Sequence, residues 1–126
     1  MSAHTGTLVR VEGRLAQLLQ VRGMTAAVVV DAEGLPLAYA EAGPCDGEAL
    51  AAAARRVVHV AERMHGYGPG GPLELVTCEG PLGSMLVTPL GGGVALGVAL
   101  SADAMVGAVR FALRAAARDL VPLVGG

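Results

Sequence analysis

No lysine occurs among the 126 residues; all nine basic side chains are arginines. That excludes a G-K-[ST] phosphate loop, a Schiff-base lysine and a Ser-Lys catalytic pair. Asn, Ile and Trp are missing too. Trp apart, the gaps fall on amino acids with AT-rich codons, which points to a high-GC bacterial genome and not to a function. Aromatic residues make up 2% of the chain, too few for a platform on which nucleic-acid bases stack. The net charge of −2 gives no basic footprint for nucleic acid either. There are two cysteines, Cys45 and Cys78, and the opening MSAHTGTLVRVEGR has no apolar h-region. A cytoplasmic protein with two reduced thiols is expected.

What is present is apolar: 53% of residues are hydrophobic and 16% charged. That composition argues against disorder. The length suits a single domain over 1–126, with its core at about 8–120. Gly80 to Ala102 runs 23 residues without a charge, long enough for a bilayer. Pro81, Pro89 and six glycines break it at turn spacing. Two short strands fit it better than a membrane helix, so no membrane insertion is expected.

The hydrophobic period changes along the chain. Leu8, Val11, Leu15, Leu18 and Leu19 recur at helical spacing, giving a first helix that ends near Gly23. Thr25–Asp31 and Leu35–Ala42 read as two strands joined by D-A-E-G, a β-hairpin. Asp46 is an N-cap candidate for a second helix over Glu48–His65, stopped by the glycines from Gly66 to Gly71. Leu73–Glu79, Gly83–Pro89 and Val94–Leu100 read as three more strands. A third helix, capped by Ser101 or Asp103, runs to about Leu120. The order is α-β-β-α-β-β-β-α. Short connections make the strands antiparallel. The fold class is α+β, a five-stranded antiparallel sheet with helices on both faces.

The second helix carries more apolar surface than a sheet-covering helix needs. Leu50, Ala53, Ala54, Val57, Val58, Val60, Ala61 and Met64 fill an arc of about 160°, where roughly 100° suffices. Either the alanines merely tolerate exposure, or the helix touches a second partner besides its own sheet. Arg55, Arg56, His59, Glu62 and Arg63 fill the remaining side.

Most motifs that suggest chemistry fail on context. Gly66-x-Gly68-x-x-Gly71 matches the dinucleotide fingerprint in letters, but it follows a helix and precedes a strand, the reverse of what pyrophosphate binding needs. His59 and Glu62 share one helix face, yet zinc wants three or four ligands, and His4 and His65 fall elsewhere. Ser2, Ser84 and Ser101 lack a nucleophile-elbow context. Cys45, just before a helix, is an ordinary loop thiol. Arg110, Arg114 and Arg118 form a stripe at i, i+4, i+8, which could bind phosphate but also suits a solvated face. Asp31 and Glu33 are too few for a Ca²⁺ loop. Asp31, Glu33 and Gly34 are read as a structural turn, with Gly34 at positive φ. No catalytic residue, cofactor site or metal site is expected.

In its order of elements the chain resembles the roadblock / dynein light chain domain family. The residues that carry the likeness are V-V-V-D-A-E-G-L-P-L-A, the acidic-capped Ala-rich second helix, L-V-T-P-L…V-A-L-G-V-A-L and S-A-D-A-M-V-G-A-V-R-F-A-L-R. The resemblance implies a non-enzymatic homodimer, with second helices paired antiparallel and third strands joined. On that basis Val58, Ala61, Met64, Leu73, Leu75 and Thr77 would lie in the dimer interface. Bacterial members are similar to regulators of Ras-like small GTPases, either activating the GTPase or scaffolding it. Arg55, Arg56, His59, Glu62 and Arg63 would then meet the GTPase, with Arg55 or Arg56 the candidates for an arginine finger. A dimerisation scaffold without a GTPase, or a small-ligand sensor using His59 and Glu62, are the alternatives.

Overall fold

A computed structural model describes residues 3–125. Ser2 and the side chain of His4, both weighed above, lie outside the described residues. The elements are α1 (Ala3–Leu18), β1 (Met24–Val30), β2 (Pro36–Glu41), α2 (Gly47–His65), β3 (Val76–Gly80), β4 (Gly83–Gly91), β5 (Val94–Ser101) and α3 (Val106–Val124). The five strands form one antiparallel sheet in the order β2-β1-β5-β4-β3. The expected order of elements and fold class are those observed.

Strand composition follows position in the sheet. β1 and β5 are central and lie between two helical layers. None of their residues is exposed and most are buried, so both read as largely apolar runs without polar alternation. Val11, Leu15 and Leu18 of α1 and Val109, Leu113, Ala116 and Leu120 of α3 pack on one face, against Ala27, Val29, Leu86, Leu96 and Val98. Leu50, Ala51, Ala54 and Val58 of α2 pack on the other, against Ala26, Val28, Val30, Val87 and Ala95. Two helices thus cover one face of the sheet and a single helix covers the other.

That single helix sits unusually low. A Cβ added to Gly97 on β5 would come within 3.1 Å of the Ala54 Cβ. Small residues on both sides, Gly97 below and Ala51 and Ala54 above, bring the α2 backbone close to the sheet.

Three expectations are corrected. The first helix ends at Leu18, not near Gly23; Leu19 and Val21 still pack on the core, but from a turn. The third strand begins at Val76, not at Leu73. The reason lies across the ladder. Continuing the register from Val76↔Val87 would set Glu74 opposite Pro89, which has no N–H to donate. The Thr88 hydroxyl instead donates to the Glu74 carbonyl at 2.8 Å.

The third correction concerns the start of α3. Neither Ser101 nor Asp103 caps it, because the helix starts later and the cap position falls to Met105, which offers no side-chain acceptor. The Ser101 hydroxyl faces the Asp103 carboxylate and the Gly23 carbonyl instead. That hydroxyl is the main reason the Asp103 carboxyl is held below the usual range.

Filling the close approach should be costly. Gly97→Val is expected to lose about 1–3 kcal/mol of stability through overpacking beneath α2. Urea unfolding should show a lower midpoint with an unchanged slope.

Candidate partner-binding surface

α2 is fixed at its start, middle and end. Asp46 is its N-cap and accepts from the Ala49 amide at 3.1 Å. Glu48 adds negative charge in the first turn, and Arg63 and His65 add basic groups in the last, both in the sense the helix dipole favours. The Tyr39 ring lies so close to Gly47 that a Cβ there would meet it at 2.9 Å. The Tyr39 hydroxyl lies 3.0 Å from the Glu41 carboxylate and 3.1 Å from the Cys45 carbonyl. Desolvation first, then the Cys45 side chain and then the Glu41 carboxylate hold its proton well above the usual phenol range. β2 and the loop before α2 are locked together through this one side chain.

Midway along the helix Arg55 turns back. Its Nε donates to the Ala32 carbonyl at 3.0 Å, inside the β1–β2 turn. The turn is held by local hydrogen bonds. Asp31 Oδ1 accepts from the Glu33 and Leu35 amides at 3.0 and 2.9 Å, and Gly34 sits at φ 90°. Asp31 and Gly34 therefore carry the turn, while Glu33 is exposed.

The apolar arc of α2 divides in two. Leu50, Ala51, Ala54 and Val58 are buried on the chain's own sheet. Ala53, Val57, Val60 and Met64, spaced four, three and four, form a second stripe along the outer flank, with Val57 half-buried and the other three exposed. Val60 is 54% exposed and Met64 70%. At roughly 100° per residue, Arg56 and Arg63 border this stripe, whereas Arg55 and Glu62 lie on the far side and His59 between. Arg56, His59, Glu62 and Arg63 are exposed.

The residues expected at a dimer contact do not all reach the surface. Val58 is 2% exposed and belongs to the chain's own core. Its place on the outward side is taken by Val57 and Val60, whose four-three spacing from Ala53 was the available signal. Ala61 is half-buried and Met64 exposed. Leu73 and Leu75 lie in the segment before β3, half-buried against opposite layers of the core, and Thr77 lies on β3. β3 is an edge strand paired only with β4. Cys45 and Cys78 are free thiols, the second exposed on β3. Among the described residues, no helix is long and apolar enough to cross a membrane.

Residues 11–100 match the family model of the Roadblock/LC7 domain. The chain belongs to the Roadblock/LC7 family. No curated protein sequence is a significant match. Solved structures with the same fold include the Roadblock/LC7 domain from Streptomyces avermitilis. It is 21% identical, with TM-score 0.80 over 88% of this chain and 94% of that one. The gliding protein MglB from Thermus thermophilus is 20% identical, with TM-score 0.82 over 98% and 92%. Myxococcus xanthus MglB is 19% identical, with TM-score 0.82 over 94% and 93%. At such identities the likeness is one of fold. It runs almost the full length of this roadblock chain, so the helix layers and both sheet edges belong to the shared architecture.

The two carboxylates of the turn differ in what they hold. Asp31→Ala should cost about 1 kcal/mol, since two amides lose their acceptor. Glu33→Gln should fall within about 0.5 kcal/mol of the parent. Chemical denaturation of the two variants side by side checks both.

Proposed function

We propose that this roadblock protein is a cytoplasmic homodimer that regulates or scaffolds a Ras-like small GTPase, with no catalysis of its own. The observation that carries the reading is the outward stripe of α2, Ala53, Val57, Val60 and Met64, bordered by Arg56 and Arg63. A sheet of five strands is roughly 20 Å wide, and one helix about 10 Å across cannot cover it. The α2 face is therefore the incompletely covered one. A second copy of α2, packed antiparallel on the first, would cover the stripe and extend the layer. β3 supports the same arrangement, since an edge strand with no internal proline invites pairing with its own copy. Such a contact is isologous and closes at two subunits.

The paired helices would leave Arg56, His59, Glu62 and Arg63 as a polar platform for the GTPase. Arg55 is the exception, because its guanidinium is engaged with the Ala32 carbonyl and serves α2 packing. Of the two finger candidates, only Arg56 is free to reach a partner. The fold shared with MglB from two bacteria supports a role in GTPase control, in keeping with what the family resemblance implies.

The test uses purified Ras-like small GTPases of bacterial origin. The protein should bind one of them and change its GTP hydrolysis rate. Arg56→Glu with Arg63→Glu should weaken binding more than about tenfold, the scale expected for charges facing a partner, and leave the dimer intact. No binding and no change in rate would overturn the assignment.

A further inference from the structure

On the opposite face of the sheet, the helix layer carries a charge pattern the proposed function does not use. α1 and α3 together hold Arg10, Arg14, Arg110, Arg114 and Arg118 against Glu12 and Asp119. The chain as a whole is negative. Arg14 is engaged with Asp119 at 2.7 Å. Among the described residues the other four form no ion pair, and all four are exposed.

These arginines are not dispersed. Arg10 and Arg118 line a cleft of about 420 Å³ between α1 and α3. Arg114 and Arg118 line a second of about 360 Å³, between α3 and Thr88–Pro89 of β4. Arg118 belongs to both: it stands on the outer side of α3, opposite the buried Val109, Leu113, Ala116 and Leu120, with one cleft on each flank of the helix. Asp119 lines the first cleft and Glu74 the second, the acidic neighbours of this face. Beside the arginine stripe stands Phe111, the chain's single phenylalanine, 75% exposed. It lies seven residues before Arg118, on the same side of the helix.

We propose that this arginine face of α3, with the clefts on its flanks, is a second docking surface, which takes an acidic segment of a partner protein with one apolar anchor against Phe111. Charge complementarity argues for the occupant. Unpaired guanidinium groups present forked donors that match carboxylates two bonds at a time. A row of them along one helix face suits an extended chain of Asp or Glu. A membrane surface suits it less. A helix that lies on lipid sinks an apolar face into the interface. The apolar face of α3, with Val109, Leu113, Ala116 and Leu120, is already buried in the core. This surface lies across the sheet from the outward stripe of α2 and comes near that helix at its last residue, where His65 and Arg114 line a common pocket; none of its arginines carries the dimer or the GTPase reading.

The test is fluorescence anisotropy of the full chain with a labelled glutamate-rich peptide bearing one central leucine. An all-glutamate peptide and phosphatidylserine vesicles are run in parallel. Saturable binding is expected at about 50 mM salt and should weaken steeply as salt rises, as it does for exposed charges. Arg114→Glu with Arg118→Glu should lower the affinity at least tenfold, with an unchanged circular dichroism spectrum. If that pair fails to fold, Arg10→Glu on the other helix should act in the same direction. Phe111→Ala should weaken the leucine peptide and not the all-glutamate one. The proposal is overturned if the parent chain binds no peptide, if the charge-reversed chains bind as well as the parent, or if vesicles bind and peptides do not.

Discussion

The low seat of α2 on Gly97 is the constraint on which this side of the molecule depends. With alanine above glycine, the helix buries only a narrow line of side chains beneath it. Every other apolar residue of α2 is then turned sideways or outward. A taller contact, with leucine at position 54 for example, would lift the helix and place Val57 and Val60 differently. The same close packing explains why Tyr39 and Arg55 hold the helix from its flanks. Tyr39 packs on Gly47, and Arg55 reaches down to Ala32. A helix with a small footprint is kept in place by lateral ties.

The two faces of the sheet consequently differ in kind. On one, α1 and α3 bury large aliphatic side chains, Leu15, Leu18, Leu86, Leu96, Leu113 and Leu120, and close the core completely. Their outer surface is free to be charged. On the other, the core is made of Ala and Val, with Leu50 as its largest aliphatic member, and stays open at its margin. Hydrophobic surface is left on the face with one helix, and positive charge on the face with two. The first favours a contact between like copies, the second an electrostatic contact with something acidic. Both kinds of surface come from how much sheet each helical layer covers.

Much of this is legible from residue order alone. The D-A-E-G turn can be read because its geometry is local: Asp31 reaches amides two and four residues on, and Gly34 supplies the positive φ. The ends of α2 are legible for the same reason, since Asp46 and Gly66 act within one turn. What escapes is non-local. The start of β3 is set by Pro89, a residue on another strand. The engagement of Arg55 with Ala32 spans 23 residues. The surplus apolar arc of α2 is visible, but not the line dividing it, because a helical wheel does not show from which side the sheet approaches. Val58, expected outward, therefore lies inward, and Val57 and Val60 take the outward side.

The central claim is that the outward stripe of α2 is covered by a second copy of itself. The direct measurement is mass by light scattering at micromolar concentration, on the parent chain and on Val60→Asp with Met64→Asp. Both positions are exposed in the single chain, so the variant should fold. The account predicts twice the chain mass for the parent and a folded monomer for the variant. A monomeric parent, or a variant that remains a dimer, would contradict it.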